Sequence, residues 1–226
     1  MDDSAPSYRR PIAVASLIAG PALMSAGDLI HPPENEDAAR QIALVVNDAS
    51  RWYVAHLLLF VGLLLFVPGI LALTKLAGER KPAAGHAARI LMLISVGALS
   101  SVFVFEMLIG RFISDGAEPA TAVALLETFQ SSAVFLVILP GLLAFFVGSA
   151  LFVVPLASAP GPFRWPALGF ALGALLILGQ IVSAEVLLSQ IGNLVILVAT
   201  TAFAVSILKE RQLATLRPDP LDHDEQ

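Results

Sequence analysis

The chain contains no cysteine, which excludes disulfide scaffolds, thiol nucleophiles and thiolate-bound zinc or iron–sulfur centres, because each needs that sulfur. Charge is scarce as well: Asp, Glu, Lys and Arg together make up 14% of the 226 residues, where a soluble domain carries about a quarter. There is no Walker sequence, no G-x-G-x-x-G fingerprint, no H-E-x-x-H pair and no G-x-S-x-G elbow. Nucleotide-binding, zincin and serine-hydrolase chemistry therefore have no motif to rest on. A net charge of −5 and a pI near 5.3 offer no basic surface for nucleic acid.

What is abundant is apolar sequence, 57% of all residues with a mean hydropathy of +0.83. A membrane-spanning helix needs about 20 apolar residues to cross about 30 Å of hydrocarbon. Six stretches fit: Pro11 to Leu29, Trp52 to Leu76, Ala88 to Phe112, Ala133 to Leu156, Trp165 to Ser183 and Leu187 to Leu208. The last two are read as a tight hairpin interrupted at Glu185, since one helix from Trp165 to Leu208 would be about 66 Å long, twice a bilayer. The expected fold is an all-α, polytopic membrane helix bundle with six transmembrane helices and two outer interfacial helices.

Positive residues stay on the cytoplasmic side of a membrane. One set of connections and tails holds Arg9, Arg10, Lys75, Arg80, Lys81, Arg89, Arg164, Lys209, Arg211 and Arg217, and the other only Arg40, Arg51 and Arg111. This predicts a plasma-membrane protein with both termini cytoplasmic. Tyr8 and Trp165 would mark the inner surface, and Trp52 and Tyr53 the outer. The first span could instead be a signal peptide, with Arg9-Arg10 before it and Ser25-Ala26-Gly27 as a cleavage site; the charge balance of an even number of spans argues for retention.

The two outer connections share a plan. In the first, Asn35 can cap a helix that opens with Glu36 and Asp37 and buries Ala38, Ile42, Val45, Val46 and Ala49. In the second, Asp115-Gly116 turns, Glu118-Pro119 starts a helix, and Ala122, Leu125, Leu126 and Phe129 form the apolar side. Weak self-similarity at an offset of about 80 residues suggests a tandem repeat over 11–80 and 88–157, followed by the hairpin 165–208. Shared apolar composition is the alternative explanation. Small residues at helical spacing mark candidate contacts: Gly169, Gly173 and Ala184 in the fifth span, Ala144 and Gly148 in the fourth, Gly97 and Ser101 in the third. Pro68 and Pro140 predict kinks. Residues 1–10 and 209–226 read as short cytoplasmic tails, the second disordered.

Ionisable groups inside a membrane are costly, so each is a candidate site. His56 sits near the outer end of the second span, and Glu106 lies about 9 Å below the outer end of the third. Asp28 and His31 close the first span, Arg111 closes the third, and Gln180, Glu185 and Asn193 surround the outer turn of the hairpin. All lie in the outer half; the inner half carries only hydroxyls such as Ser16, Ser95, Ser149 and Thr200. A channel or proton pump needs polar stations across the whole thickness. An outward-facing pocket fits better, lined by Asp28, His56, Glu106, Arg111, Gln180 and Glu185, for a small or lipidic ligand.

Ordinary structural roles compete with each of these residues: a solvated helix-end His56, a structural ion pair for Glu106, a snorkelling Arg111. His31, ahead of two prolines, reads as a loop residue. His31, His56 and Glu106 are the weak metal candidates, and a membrane-embedded metal-dependent hydrolase using them is one alternative. A structural or assembly subunit is the other. No catalytic residue is assigned and no cofactor is expected; haem lacks a second histidine within a span. Partners expected are membrane lipid, a second copy of the chain, or helices of another membrane protein.

The six-span plan, the acidic outer helix running into Arg51-Trp52-Tyr53-Val54-Ala55-His56, and the basic inner loop Lys75 to Arg89 make residues 9–208 similar to small bacterial integral membrane proteins of the domain-of-unknown-function type. The resemblance is one of plan and implies the six-span fold, with no catalytic residue to carry over.

Overall fold

The structure, a computed structural model, describes residues 9–33, 35, 37–158, 160–183 and 185–215. Eight helices account for nearly all of them: α1 (Arg9–Ile30), α2 (Ala38–Asn47), α3 (Ala49–Arg80), α4 (Pro82–Ser114), α5 (Pro119–Ser131), α6 (Ala133–Ser158), α7 (Arg164–Ser183) and α8 (Val186–Thr215). All but α2 and α5 are long and apolar enough to cross a membrane. The chain is thus an all-helical bundle with six candidate spans, and its composition fits a multi-pass membrane protein. The expectations for the tails at 1–8 and 216–226, and those resting on Tyr8, Glu34, Glu36, Ala184 and Arg217, lie outside the described residues.

Several helices run past their apolar stretches. α3 has 32 residues and α4 has 33, and Lys81 alone separates them, so the basic segment Lys75 to Arg89 is two helix ends rather than a loop. Pro82 opens α4 where a missing N–H costs nothing. The elbow closes because Gly78 meets Gly85: a Cβ on Gly85 would lie 2.4 Å from the Gly78 Cα. Residues 209–215, expected as tail, continue α8, since Lys, Glu, Arg and Gln lose little side-chain freedom in a helix. At α2 the cap is Asp37, not Asn35: the Asp37 carboxylate accepts the Arg40 N–H at 2.9 Å, and Asn35 Oδ1 accepts the Asp37 N–H at 3.0 Å.

Between apolar helices in lipid, close backbone approach replaces the hydrophobic drive. α1 lies along α3, where a Cβ on Gly20 would come within 2.7 Å of the Phe66 backbone and one on Gly62 within 2.8 Å of the Gly20 carbonyl. α7 and α8 meet at Gly173 and Gly192 in the same way, and Gly148 of α6 faces Met92 of α4. Gly97, expected in a contact stripe, meets nothing within 4 Å.

One core joins the long helices through Phe66, Leu73, Met92, Phe152, Phe170 and Phe203. A second lies under α2 and α5, which pack on each other over Trp52 and Ile109 through Ile42, Val45, Ala122 and Leu126. Val46 and Leu125, expected on the buried faces, are instead exposed. The outside of the bundle carries large apolar side chains such as Leu136, Val182 and Val198, the surface a lipid-facing helix presents.

Candidate functional site

The site is built where α1 ends and α3 begins. Beyond Asp28 the chain turns through His31-Pro32-Pro33, and Arg51 of α3 pins this turn by donating its Nε–H to the Ile30 carbonyl at 2.6 Å. The His31 ring is thereby pushed inward and buried, with Nδ1 2.7 Å from the Pro32 carbonyl. On α3, Trp52 and His56 stand one turn apart on the same face, where residues four apart are neighbours, with ring centroids 4.6 Å apart. His56 Nδ1 lies 2.9 Å from the Trp52 carbonyl. The two imidazoles meet edge-on, Nε2 to Nε2 at 3.2 Å.

Trp52 joins this pair to α4. Its indole N–H donates to the Glu106 carbonyl at 3.1 Å, and its ring contacts that of His31 at 4.9 Å. Read from sequence as an interfacial anchor, Trp52 is instead buried at 2% exposure, because the indole N–H finds a partner inside and the short helices α2 and α5 cover its ring. On the other flank, α8 holds the Asp28 carboxylate through Asn193 Nδ2 at 3.1 Å and Ser189 Oγ at 3.4 Å.

Below this polar roof lies a cavity of about 430 Å3, within the range of small-molecule sites. Its walls are Leu59, Leu63, Phe66 and Ile70 of α3, Met92, Val96, Leu99 and Phe103 of α4, and apolar residues of α6, α7 and α8. Polar groups gather at the end covered by α2 and α5: Asp28, His31, His56, Glu106, Gln130, Gln180 and Asn193 among them. Deep in the apolar part stands Ser95, whose buried hydroxyl has no hydrogen-bond partner among the described residues. No Lys or Arg lines the cavity among the described residues.

Of the residues singled out in the sequence, Asp28, His56, Glu106 and Gln180 line this one cavity, and His31 joins them. Arg111 and Glu185 do not. Arg111 pairs with Asp115 at 2.8 Å, one turn on along α4, with both side chains more than half exposed; a single helical turn puts that partner closer than any across the bundle. Glu185 is exposed at the α7–α8 turn. Among the described residues no three His, Asp or Glu side chains are grouped to hold a metal ion, so Glu106 lines the cavity without completing such a set with His31 and His56.

Sequence reasoning missed Asn35, Gln41 and Ser189 as lining residues, and the burial of Trp52. The signal available was the spacing of Trp52, His56, Leu59, Leu63, Phe66 and Ile70, alternately four and three apart, which places all six on one stripe of α3. Compared with protein-family models, with curated proteins and with solved structures, the chain finds no match in any of the three.

Proposed function

We propose that this chain is a multi-pass membrane protein that binds an amphiphile, with the hydrocarbon part of the ligand among the apolar walls and its head beneath α2 and α5. The observation that carries this reading is the polarity gradient of the cavity: apolar along its length except for the Ser95 hydroxyl, with the charged and amide side chains gathered at one end. From His56 to Ile70 the α3 wall runs about 21 Å, room for an extended chain rather than a compact solute. The Asp28 carboxylate lines the polar end, hydrogen-bonded among the described side chains only by the neutral Asn193 and Ser189, and no described Lys or Arg lines the cavity, so a cationic or hydroxyl-bearing head fits better than a phosphate or carboxylate. By the positive-inside rule this end would face outward from a plasma membrane, with α2 and α5 at the interface.

The test compares a long-chain amine with the fatty acid of the same chain length on purified protein in detergent. The amine should raise the melting temperature in a saturable way, by about 2.7 kcal/mol of stabilisation at 100 times its Kd, and the acid should not. Val102→Trp, which fills part of the cavity wall, should weaken amine binding. Equal responses to both compounds, unaltered by that substitution, would overturn the reading.

A further inference from the structure

The six long helices pack in a ring, in the order α1, α3, α4, α6, α7, α8 and back to α1, with the cavity inside it. Of the seams between ring neighbours, the one between α6 and α7 has the slightest contact. The glycines show why, since close backbone approach is what joins helices in an apolar setting. Gly141 and Gly148 of α6 face Ala98 and Met92 of α4, and Gly169, Gly173 and Gly179 of α7 face Ala199, Ile196 and Leu188 of α8. None of these five lies between α6 and α7. The rings of Phe152 and Phe170 tie the two helices together near their connection, with centroids 4.9 Å apart. Towards the polar end of the cavity each helix packs instead on its other neighbour.

The roof leaves the same side uncovered. α2 and α5 rest on α3, α4 and α6 and on each other, and among the described residues they touch neither α7 nor α8. Where the edge of the roof meets the seam, residues that line the cavity are also exposed on the outside: Gln130 at the end of α5, and Ile181 near the end of α7 at 44% exposure. Beside them Leu142 of α6 and Ile177 and Gln180 of α7 line the cavity and are only half-buried.

We propose that the ligand is a two-chain lipid of the surrounding bilayer with a cationic or hydroxyl head, and that it enters sideways between α6 and α7. This rests on the amphiphile reading and names the source of the amphiphile. The head meets the amides of Gln130 and Gln180 at the mouth, with the Asp28 carboxylate beyond them. One chain lies in the cavity, and the other stays among the bilayer lipids, against exposed apolar side chains of the two helices such as Leu139, Leu178 and Val182. A side opening admits such a lipid where an opening to water would not, because two acyl chains anchor a molecule in the bilayer and a single chain holds it only reversibly. The competing source is a single-chain amphiphile arriving through water.

The test uses Trp52, which lines the cavity and is 2% exposed. The Trp165→Phe chain, whose remaining indole is Trp52, is placed in lipid nanodiscs in which a growing fraction of the lipid is a two-chain amine with brominated chains, since bromine quenches tryptophan only at short range. A saturable loss of emission is expected, and a brominated lipid with a phosphate head should not give it at the same fraction. The chain has no cysteine, so Ile181→Cys carrying a bulky maleimide plugs the seam and should abolish the loss. The same label on Val198→Cys, at a position 70% exposed on α8, should leave it intact. Should the plugged variant fail to fold, the comparison of the two brominated lipids reads the claim by itself. Equal quenching by both lipids, or quenching that survives the plug, overturns the sideways entry. A single-chain amine that raises the melting temperature while the two-chain amine leaves Trp52 unquenched overturns it too and retains the amphiphile reading. Binding of neither rejects both.

Discussion

Ser16 of α1 stands inside the hydrogen-bond ladder of α3: its hydroxyl accepts the Gly69 N–H at 2.8 Å and donates to the Leu65 carbonyl. In an uninterrupted helix that N–H and that carbonyl would bond directly. Pro68, one residue before, has no N–H and crowds the preceding turn, and the serine of a neighbouring helix enters the opening. The arrangement satisfies both backbone groups within a helix long and apolar enough to cross a membrane, where an unpaired group would be costly.

Ser16→Ala leaves the Gly69 N–H without this partner. We expect a loss of about 1 to 3 kcal/mol in unfolding free energy, read by denaturant titration in detergent. Stability equal to wild type would mean that the ladder closes by itself and that the serine is incidental.

The glycines divide into two groups whose substitutions should behave oppositely. Gly20→Ala forces a carbon to within 2.7 Å of the Phe66 backbone, and separation of α1 from α3 should cost several kcal/mol and most of the folded yield. Gly97→Ala meets open space and should stay within about 0.5 kcal/mol of wild type. Folded yield on size-exclusion chromatography and the melting temperature distinguish the two. Similar losses in both would show that the α1–α3 contact is looser than described.

Two arginines make the same contrast for charge. Arg111 and Asp115 form a solvent-facing pair, so Arg111→Gln should change the melting temperature little. Arg80 reaches from the end of α3 to the Pro155 and Leu156 carbonyls of α6 at 3.2 and 3.0 Å, near the point where Pro155 interrupts that helix. Arg80→Ala should cost about 1.5 to 3 kcal/mol, and Arg80→Lys should recover much of it, since both bonds come from the single nitrogen Nη1 and an ammonium also has donors for two acceptors.

The chain has two tryptophans, and they differ fully in environment: Trp52 is 2% exposed and Trp165 is 75% exposed. In Trp165→Phe the remaining emission should be blue-shifted and shielded from an aqueous quencher such as acrylamide. Ready access of acrylamide to Trp52 would contradict the roof formed by α2 and α5.

Sequence periodicity and composition were enough to locate the long helices and the two short ones, because those depend on local runs of apolar residues and on local caps. The helix ends were less legible. Lys75 to Arg89 reads as a polar loop until the Gly78–Gly85 contact, a tertiary event, is known to let both helices continue. For the site, Asp28, His56, Glu106 and Gln180 were visible as polar groups out of place in apolar runs. What no local pattern could show is their partners: His56 meets a histidine 25 residues earlier, and Asp28 meets Asn193 on the last helix. Arg111 is ambiguous in sequence because an exposed arginine and a pocket arginine look alike there, and only the structure pairs it with Asp115.

The elbow at Lys81 has a mechanical corollary. α3 and α4 are each about 48 Å long and are joined at one end by a single residue between two touching glycines, so relative to each other they act as the arms of a pair of tweezers. A change of about 5° at the pivot moves the free ends about 4 Å apart over that length, while the walls near Met92 and Ile70 hardly separate. The free ends carry Trp52 and His56 on one arm and Glu106 on the other. Opening by that amount would break the Trp52–Glu106 hydrogen bond that fastens the far ends, so the clasp at the crown of the cavity, and not the elbow, sets how far the two arms can part.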